Sequence, residues 1–247
     1  MTSPLAFYRW SELDRTTYPE LRERVLDFET DGRAPELRSY PGHPRFLLGR
    51  ARPRRLAGLD QALVRRRSAR ALAGLLPSRA ALGRILQFGH GVTGADGRGA
   101  VPSAGSLQAL DLYLVNLVEA WLPRGLYHYD RAGHHLSQLG AGAEHSRWRE
   151  IVPSLDLVAG GGLLWLITGD TAIVERKYGE RGLRFLLFEA GHLMQNLCLL
   201  AASLGLVTVP LGGFFEREAA AELRLPAGSV ALYAGACGEA QGRSARR

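Results

Sequence analysis

The chain has 247 residues, 46% of them hydrophobic, and a formal net charge of +7 at pH 7; this excludes a disordered or fibrous protein and allows one large domain or two small ones. No apolar run reaches the ~18 residues of a membrane span, no basic segment leads into one at the start, and the two cysteines stand at neither a metal nor a redox spacing. The expectation is a cytoplasmic chain with no membrane association and no metal. The basic balance suits a phosphate-bearing partner: between Arg45 and Arg84, eleven arginines face one acid, Asp60. That window has a single aromatic, Phe46, and no nucleic-acid module, so a discrete anionic ligand is favoured over nucleic acid.

In chain order, residues 1–58 show little periodicity and are punctuated by Pro4, Pro19, Pro35, Pro41, Pro44 and Pro53. They predict an extended lead-in, with one short helix at Leu21–Phe28, packed on a domain spanning 59–247. A helix over Leu59–Leu63 runs into Arg66, Arg67, Ser68 and Arg70. Arg66 and Arg70 share a helix face, or share a strand face with Ser68; either converges two guanidiniums on one phosphate. Pro77-Ser78 opens a helix to Phe88, and Gly89–Gly105 is a glycine-rich loop ending in Ser103, Ala104, Gly105 and Ser106. Its small residues let the backbone approach a planar ligand, and its hydroxyls add donors.

Leu110, Leu112 and Leu114 alternate as a strand, and Gly125–Leu136 reads as strand, turn, strand with exposed histidines at 128, 134 and 135. Leu163–Thr168 is a buried strand. Arg184–Leu204 is a helix apolar nearly all round apart from Glu189, His192, Gln195 and Asn196, which requires packing on several sides, as a central helix or a subunit interface. Val207–Pro210 is a strand, Leu211–Phe214 a tight turn, Ala219–Leu223 a helix and Val230–Tyr233 a strand. Without regular βαβ alternation, the class is α+β around a mixed sheet wrapped by helices.

Lys177 is the one lysine in a chain with 31 Lys and Arg together. Arginine serves wherever a permanent cation is enough, whereas a desolvated lysine can also lose its proton. Lys177 is therefore a candidate proton-transfer residue. The adjacent Tyr178 diverges from it, so both reach one substrate only if the backbone turns, which Gly179 allows.

Four signals occur in one order: R-R-R-S-A-R, P-S-A-G-S-L, K-Y-G-E-R-G-L-R-F with E-A-G-H-L-M-Q-N, and V-P-L-G-G-F, with R-S-Y-P-G and G-L-Y-H-Y-D in the intervals. Together, from Leu37 to Gly238, they resemble the nitroreductase-like flavoproteins, most closely the SagB-type branch of azoline-oxidising dehydrogenases from peptide heterocycle biosynthesis. The resemblance implies an intertwined homodimer with FMN at its interface, a modified peptide or small-molecule substrate, and a biosynthetic partner enzyme. It implies that Arg66, Arg67, Ser68 and Arg70 hold the FMN phosphate and ribityl chain, and that Ser103, Ala104, Gly105 and Ser106 lie along the flavin from the other subunit. Pro210, Leu211, Gly212 and Gly213 would face the ring near its reactive nitrogen, and Lys177 with Tyr178 would remove the substrate proton. Gly212 departs from the acid some nitroreductases place there. Glu239 stands where a basic phosphate contact is expected, leaving Arg243 as its replacement. Two alternatives stay open: a nitro- or quinone-type reductase fed by NAD(P)H, and a flavin-free basic binding or partner protein that keeps the fold.

Overall fold

The computed structural model describes residues 5–30, 37–53, 58–158 and 160–241. Its centre is a sheet of eight strands: β1 (Arg45–Leu47), β2 (Leu72–Ala73), β3 (Leu110–Asn116), β4 (Gly125–Asp130), β5 (His135–Ala141), β6 (Leu163–Asp170), β7 (Val207–Leu211) and β8 (Ser229–Ala240). Their order is β1-β5-β4-β3-β6-β8-β2, with β7 also paired to β8. Every described pairing is antiparallel, which corrects the expectation of a mixed sheet. The α+β class stands. Short connections such as the turn from Asp130 to His135 return the chain as a hairpin, whereas parallel pairing would need a long crossover.

The period of two sorts side chains to two cores. Leu112, Leu114, Trp165 and Ile167 face one side, while Tyr113, Val115, Leu164 and Leu166 face the other. Leu114 opposes Trp165 at the centre of the β3–β6 ladder. On the first side pack α4 (Arg79–Gly89) and α7 (Gly182–Ser203); α3 (Leu59–Arg65) lies against α7. On the second lie α5 (His145–Ile151) and α8 (Glu216–Glu222). Ser78 starts α4 by accepting a hydrogen bond from the Ala81 N–H, as Pro-Ser predicts.

The helix α7 buries Leu186, Ala190, Leu193, Met194, Leu197 and Ala201 against the sheet, yet leaves Leu187 and Phe188 exposed. It is central on one side only. With the preceding α6 (Thr171–Tyr178) it forms a stretch, Thr171–Ser203, apolar and long enough by composition to cross a membrane. Gly179, at φ 55, ends α6, and α7 spends its apolar face on the core.

Where the prolines predict an extended lead-in, the chain forms α1 (Ala6–Trp10), α2 (Tyr18–Thr30) and β1. The helix expected at Leu21–Phe28 is the middle of α2, while α1, whose residues are exposed or half-exposed, needed no apolar stripe strong enough to read from sequence. Arg38 fastens the lead-in to the sheet. Its guanidinium donates to Asp111 at 2.5 Å, to Asp170 at 3.1 Å and to Ser229 at 3.1 Å, spanning β3, β6 and β8. Tyr40 follows, its hydroxyl 2.7 Å from that of Tyr113 and its ring 4.9 Å from His128. The R-S-Y-P-G and G-L-Y-H-Y-D segments thus meet in space.

Burial pushes the Asp111 carboxyl up, but the His128 hydrogen bond at 3.0 Å and the charge of Arg38 outweigh it and hold the group below the usual carboxylate range. A folded-state pKa depressed in this way adds stability above the unfolded value, lost as pH falls through the folded one. Asp111→Asn should lower stability at neutral pH by about 1.5–3 kcal/mol and flatten its loss in acid, read by urea unfolding between about pH 5 and pH 2. Parallel pH profiles for the two proteins would contradict this assignment.

Candidate active site

The last two residues of α6 are Lys177 and Tyr178, and Gly179 breaks the helix behind them with φ 55 and ψ −147. Lys177 is 5% exposed. Its Nζ lies 3.3 Å from Glu29 Oε1 and 5.2 Å from the centre of the Phe28 ring, both on α2. It is also 5.7 Å from the Tyr178 ring. Arg176 lies 5.5 Å from the same Phe28 ring, whereas Arg181 donates to the Ser11 carbonyl at 2.6 Å and Arg184 to the Ser11 hydroxyl and the Tyr8 carbonyl, pinning α1.

The loop of Ser103, Ala104, Gly105 and Ser106 reaches the same place. Gly105, Ser106 and Gln108 are left-handed, with φ of 55, 57 and 50. A β-carbon on Gly105 would stand 2.5 Å from Tyr178 Oη and 2.7 Å from Lys177 Nζ, so only glycine lets the backbone lie on this pair. This contact forms within one chain. Glu189, buried on α7, accepts the Ala104 N–H at 2.7 Å. Burial raises its carboxyl, with Ala104, Ser103 and Arg131 opposing. Burial also raises the Tyr178 phenol, reinforced by the negative charges of Glu189 and Glu29, so Tyr178 keeps its proton at neutral pH. Beyond Tyr178 a cavity of about 380 Å3 opens between Trp10, Leu21, Arg24 and Glu180.

The arginine run is neither helical nor extended: Arg66 caps α3, and residues 67–70 are irregular, so no regular face aligns Arg66 with Arg70. Arg66 is half-buried, near enough to α7 for its charge to act on the Cys198 thiol, which burial pushes up to about 11. Arg67 donates to the Arg66 carbonyl at 2.7 Å, and Arg67, Ser68 and Arg70 are exposed. Among the described residues, Arg66, Arg67 and Arg70 form no ion pair with a carboxylate, which leaves their donors for an anion. Glu189 and Cys198, which mark the loop and the arginine run on α7, stand about 13 Å apart at 1.5 Å of rise per residue.

Pro210 and Leu211 end β7 opposite Gly235 and Ala234. The Gly213 carbonyl accepts the Ser154 N–H at 3.2 Å and the Ser154 hydroxyl at 2.7 Å. Gly212 is exposed, with open space where a β-carbon would stand. Among the described residues, no hydrogen bond or ion pair joins this turn or the arginine run to Lys177 and Tyr178. Arg243 lies outside the described residues.

The sequence reading missed Phe28 and Glu29, which reach Lys177 from a lead-in 148 residues away, and gave Glu189 no partner. A lone acid on the apolar side of a buried helix was the available signal. The histidines expected to be exposed are buried: His128 bonds Asp111, His134 lies 2.8 Å from the Tyr129 hydroxyl, and His135 is 3.8 Å from Asp130. The tight hairpin folds them beneath the lead-in and β1 rather than toward solvent.

The nitroreductase family model matches residues 63–239, from the end of α3 through the arginine run, α7 and the Pro-Leu-Gly-Gly turn into β8. The chain belongs to the nitroreductase family, whose members are oxidoreductases, typically flavin-dependent. It is 31% identical over 161 residues, 65% of this chain and 81% of the relative, to MJ1384 of Methanocaldococcus jannaschii, which is assigned as a nitroreductase. Among solved structures it superposes on a nitroreductase-type protein of Ralstonia eutropha with a TM-score of 0.70 at 21% identity, covering 85% of this chain and 95% of that one. A similar protein of Anabaena variabilis gives a TM-score of 0.71 at 22% identity over 81% of this chain, which spans 42% of that longer chain. A chain of the Escherichia coli microcin synthetase McbBCD complex with truncated pro-MccB17 bound gives 0.62 at 18% identity, over 97% of this chain and 98% of that one.

Gly105→Ala should cost about 1–3 kcal/mol, since a left-handed φ and the overlap with Tyr178 combine. Tyr178→Phe removes the nearer atom and should recover part of that cost in a double-mutant cycle read by urea unfolding. An unchanged midpoint for Gly105→Ala would contradict the packing of this loop on the pair.

Proposed function

We propose that this chain is an FMN-dependent dehydrogenase that oxidises a thiazoline or oxazoline ring in a modified peptide to the aromatic azole. The observation that carries this reading is the chain's one lysine, buried beside Tyr178 beneath a left-handed loop. A solvated turn would have accepted arginine. FMN, when bound, supplies the two-electron acceptor, which dioxygen reoxidises.

The residues present fit that cofactor. The guanidiniums of Arg66, Arg67 and Arg70 and the Ser68 hydroxyl suit a phosphate, and the exposed Gly212 backbone, with Pro210, Leu211 and Gly213 around it, suits close approach by a flat ring. Ser103, Ala104, Gly105 and Ser106 would border the ring, and Arg243 is assigned to the phosphate from sequence. Lys177, paired with Glu29, first gives its ammonium proton to that carboxylate; the neutral amine then accepts the proton from the ring carbon next to the peptide carbonyl, and the second hydrogen leaves with its electron pair to the acceptor. Tyr178, kept protonated, donates a hydrogen bond that orients the ring. Glu29 must swing from Lys177 as substrate enters; its carboxylate is 60% exposed, so the pair holds weakly.

We also infer a homodimer sharing the flavin site. Leu187 and Phe188 on α7 and Leu59, Leu63 and Val64 on α3 are exposed apolar side chains on two helices that pack together, a face soluble monomers rarely leave bare. The likeness to a chain of the microcin synthetase, solved with its peptide, supports a peptide substrate and a partner enzyme.

Lys177→Arg should keep fold, charge and bound FMN yet lose azoline oxidation by about 10²–10⁴, the usual worth of a general base. Turnover of a thiazoline-bearing peptide near the wild-type rate would overturn the reading. Rapid bleaching of the flavin by NAD(P)H without azoline oxidation would favour a nitro- or quinone-type reductase instead.

A further inference from the structure

Glu189 is 4% exposed, on the side of α7 that carries Leu186, Ala190 and Leu193 into the core. A carboxylate persists there only if bonds to its charged form replace water. The loop supplies them: Glu189 Oε1 accepts the Ala104 N–H at 2.7 Å, and the adjacent Ser103 hydroxyl also favours the charged form. Ser103 Oγ in turn accepts the Gln108 N–H at 2.8 Å, and Gln108 Oε1 accepts from Arg131 Nη2 at 2.9 Å. Arg131, itself buried in the turn between β4 and β5, donates through Nε to the His90 carbonyl at 2.6 Å.

The residues held between these anchors include Ser106 and Gln108, which are not glycine and yet are left-handed. Side chains of this kind stay in that region only where the surroundings over-determine the backbone. The clasp from α7 through the loop to the β4–β5 turn supplies that determination, and its product is the close approach of Gly105 to Lys177 Nζ and Tyr178 Oη.

We infer that Glu189 is the positioning residue of this site: from α7 it clamps the 103–108 loop, so that the Gly105 backbone sets where the Lys177 amine and the Tyr178 hydroxyl point. The inference rests on the reading of Lys177 as proton acceptor, but the clamp is a property of the chain alone. It also gives the E-A-G-H-L-M-Q-N segment a task that its apolar packing leaves unexplained.

The test uses the full chain in three forms, wild type, Glu189→Ala and Glu189→Gln, with amide hydrogen exchange and steady-state oxidation of a thiazoline peptide as readouts. Glu189→Ala should speed exchange of the Ala104 amide about tenfold or more and leave the Leu166 amide in β6 unchanged. It should lower kcat about tenfold with little change in FMN affinity. Glu189→Gln keeps the acceptor for Ala104 and should restore both protection and most of kcat. If Glu189→Ala does not fold, Ser103→Ala opens the same clasp and should speed exchange of the Gln108 amide; unchanged exchange there overturns the clamp, as does unchanged Ala104 exchange in Glu189→Ala. If exchange responds as expected but the wild type does not oxidise the peptide, the clamp stands and the proposed function fails. If the wild type oxidises the peptide and Glu189→Ala does so with the same kcat, the positioning role fails and the function stands.

Discussion

The packing of α7 on the sheet face that carries Leu112, Leu114, Trp165 and Ile167 is the constraint on which the rest depends. Once Leu193, Met194 and Leu197 are seated there, His192 and Gln195 are left exposed, and the more enclosed polar residues of the helix must find a partner from a fixed direction. Glu189 finds the loop after Pro102, and Asn196 donates to the Gly89 carbonyl at 3.3 Å. The helix also reaches outward: its first turn pins α1 through Arg184, and its Leu187 and Phe188 are exposed.

A second layer of organisation is electrostatic. The long excess of positive charge is not spread evenly: Arg38 is spent on Asp111 and Asp170, Arg181 and Arg184 on α1, and Arg131 on the loop clasp. What remains free of carboxylate partners among the described residues includes the run at Arg66, Arg67 and Arg70, on an exposed segment where water keeps unpaired guanidiniums cheap until an anion arrives. At the other end of the site, carboxylates flank the pair: Glu29 against Lys177, and Glu189 toward Tyr178. The unpaired arginine run and the Lys177–Tyr178 pair thus lie at different points along α7.

Much of this was legible in the residues because it is local. Ser78 capping, the strand–turn–strand from Gly125, the apolar α7 and its end at Gly205 all follow from propensity and period. The strand directions were not legible, since period two is the same in parallel and antiparallel ladders. Nor was α1, whose side chains are mostly wet and so carry little pattern, whereas α2 was legible over its middle, Leu21–Phe28. The partners of Lys177 escaped for another reason: Phe28 and Glu29 are distant in sequence, and nothing local marks a residue as the wall of a remote pocket. The buried histidines were misread because Tyr40 and β1 cover them only after the lead-in folds back.

The central claim, that Lys177 and Tyr178 form the proton-handling end of a flavin site begun by Arg66 and Arg70, is tested most directly by a crystal structure of the chain with FMN bound. The account predicts the phosphate on the Arg66–Arg70 segment, the ring against the Gly212–Gly213 backbone, and Lys177 Nζ facing the open side of the ring where a substrate would lie. A phosphate held elsewhere, or a ring with Lys177 still turned away from it onto Glu29, would contradict it.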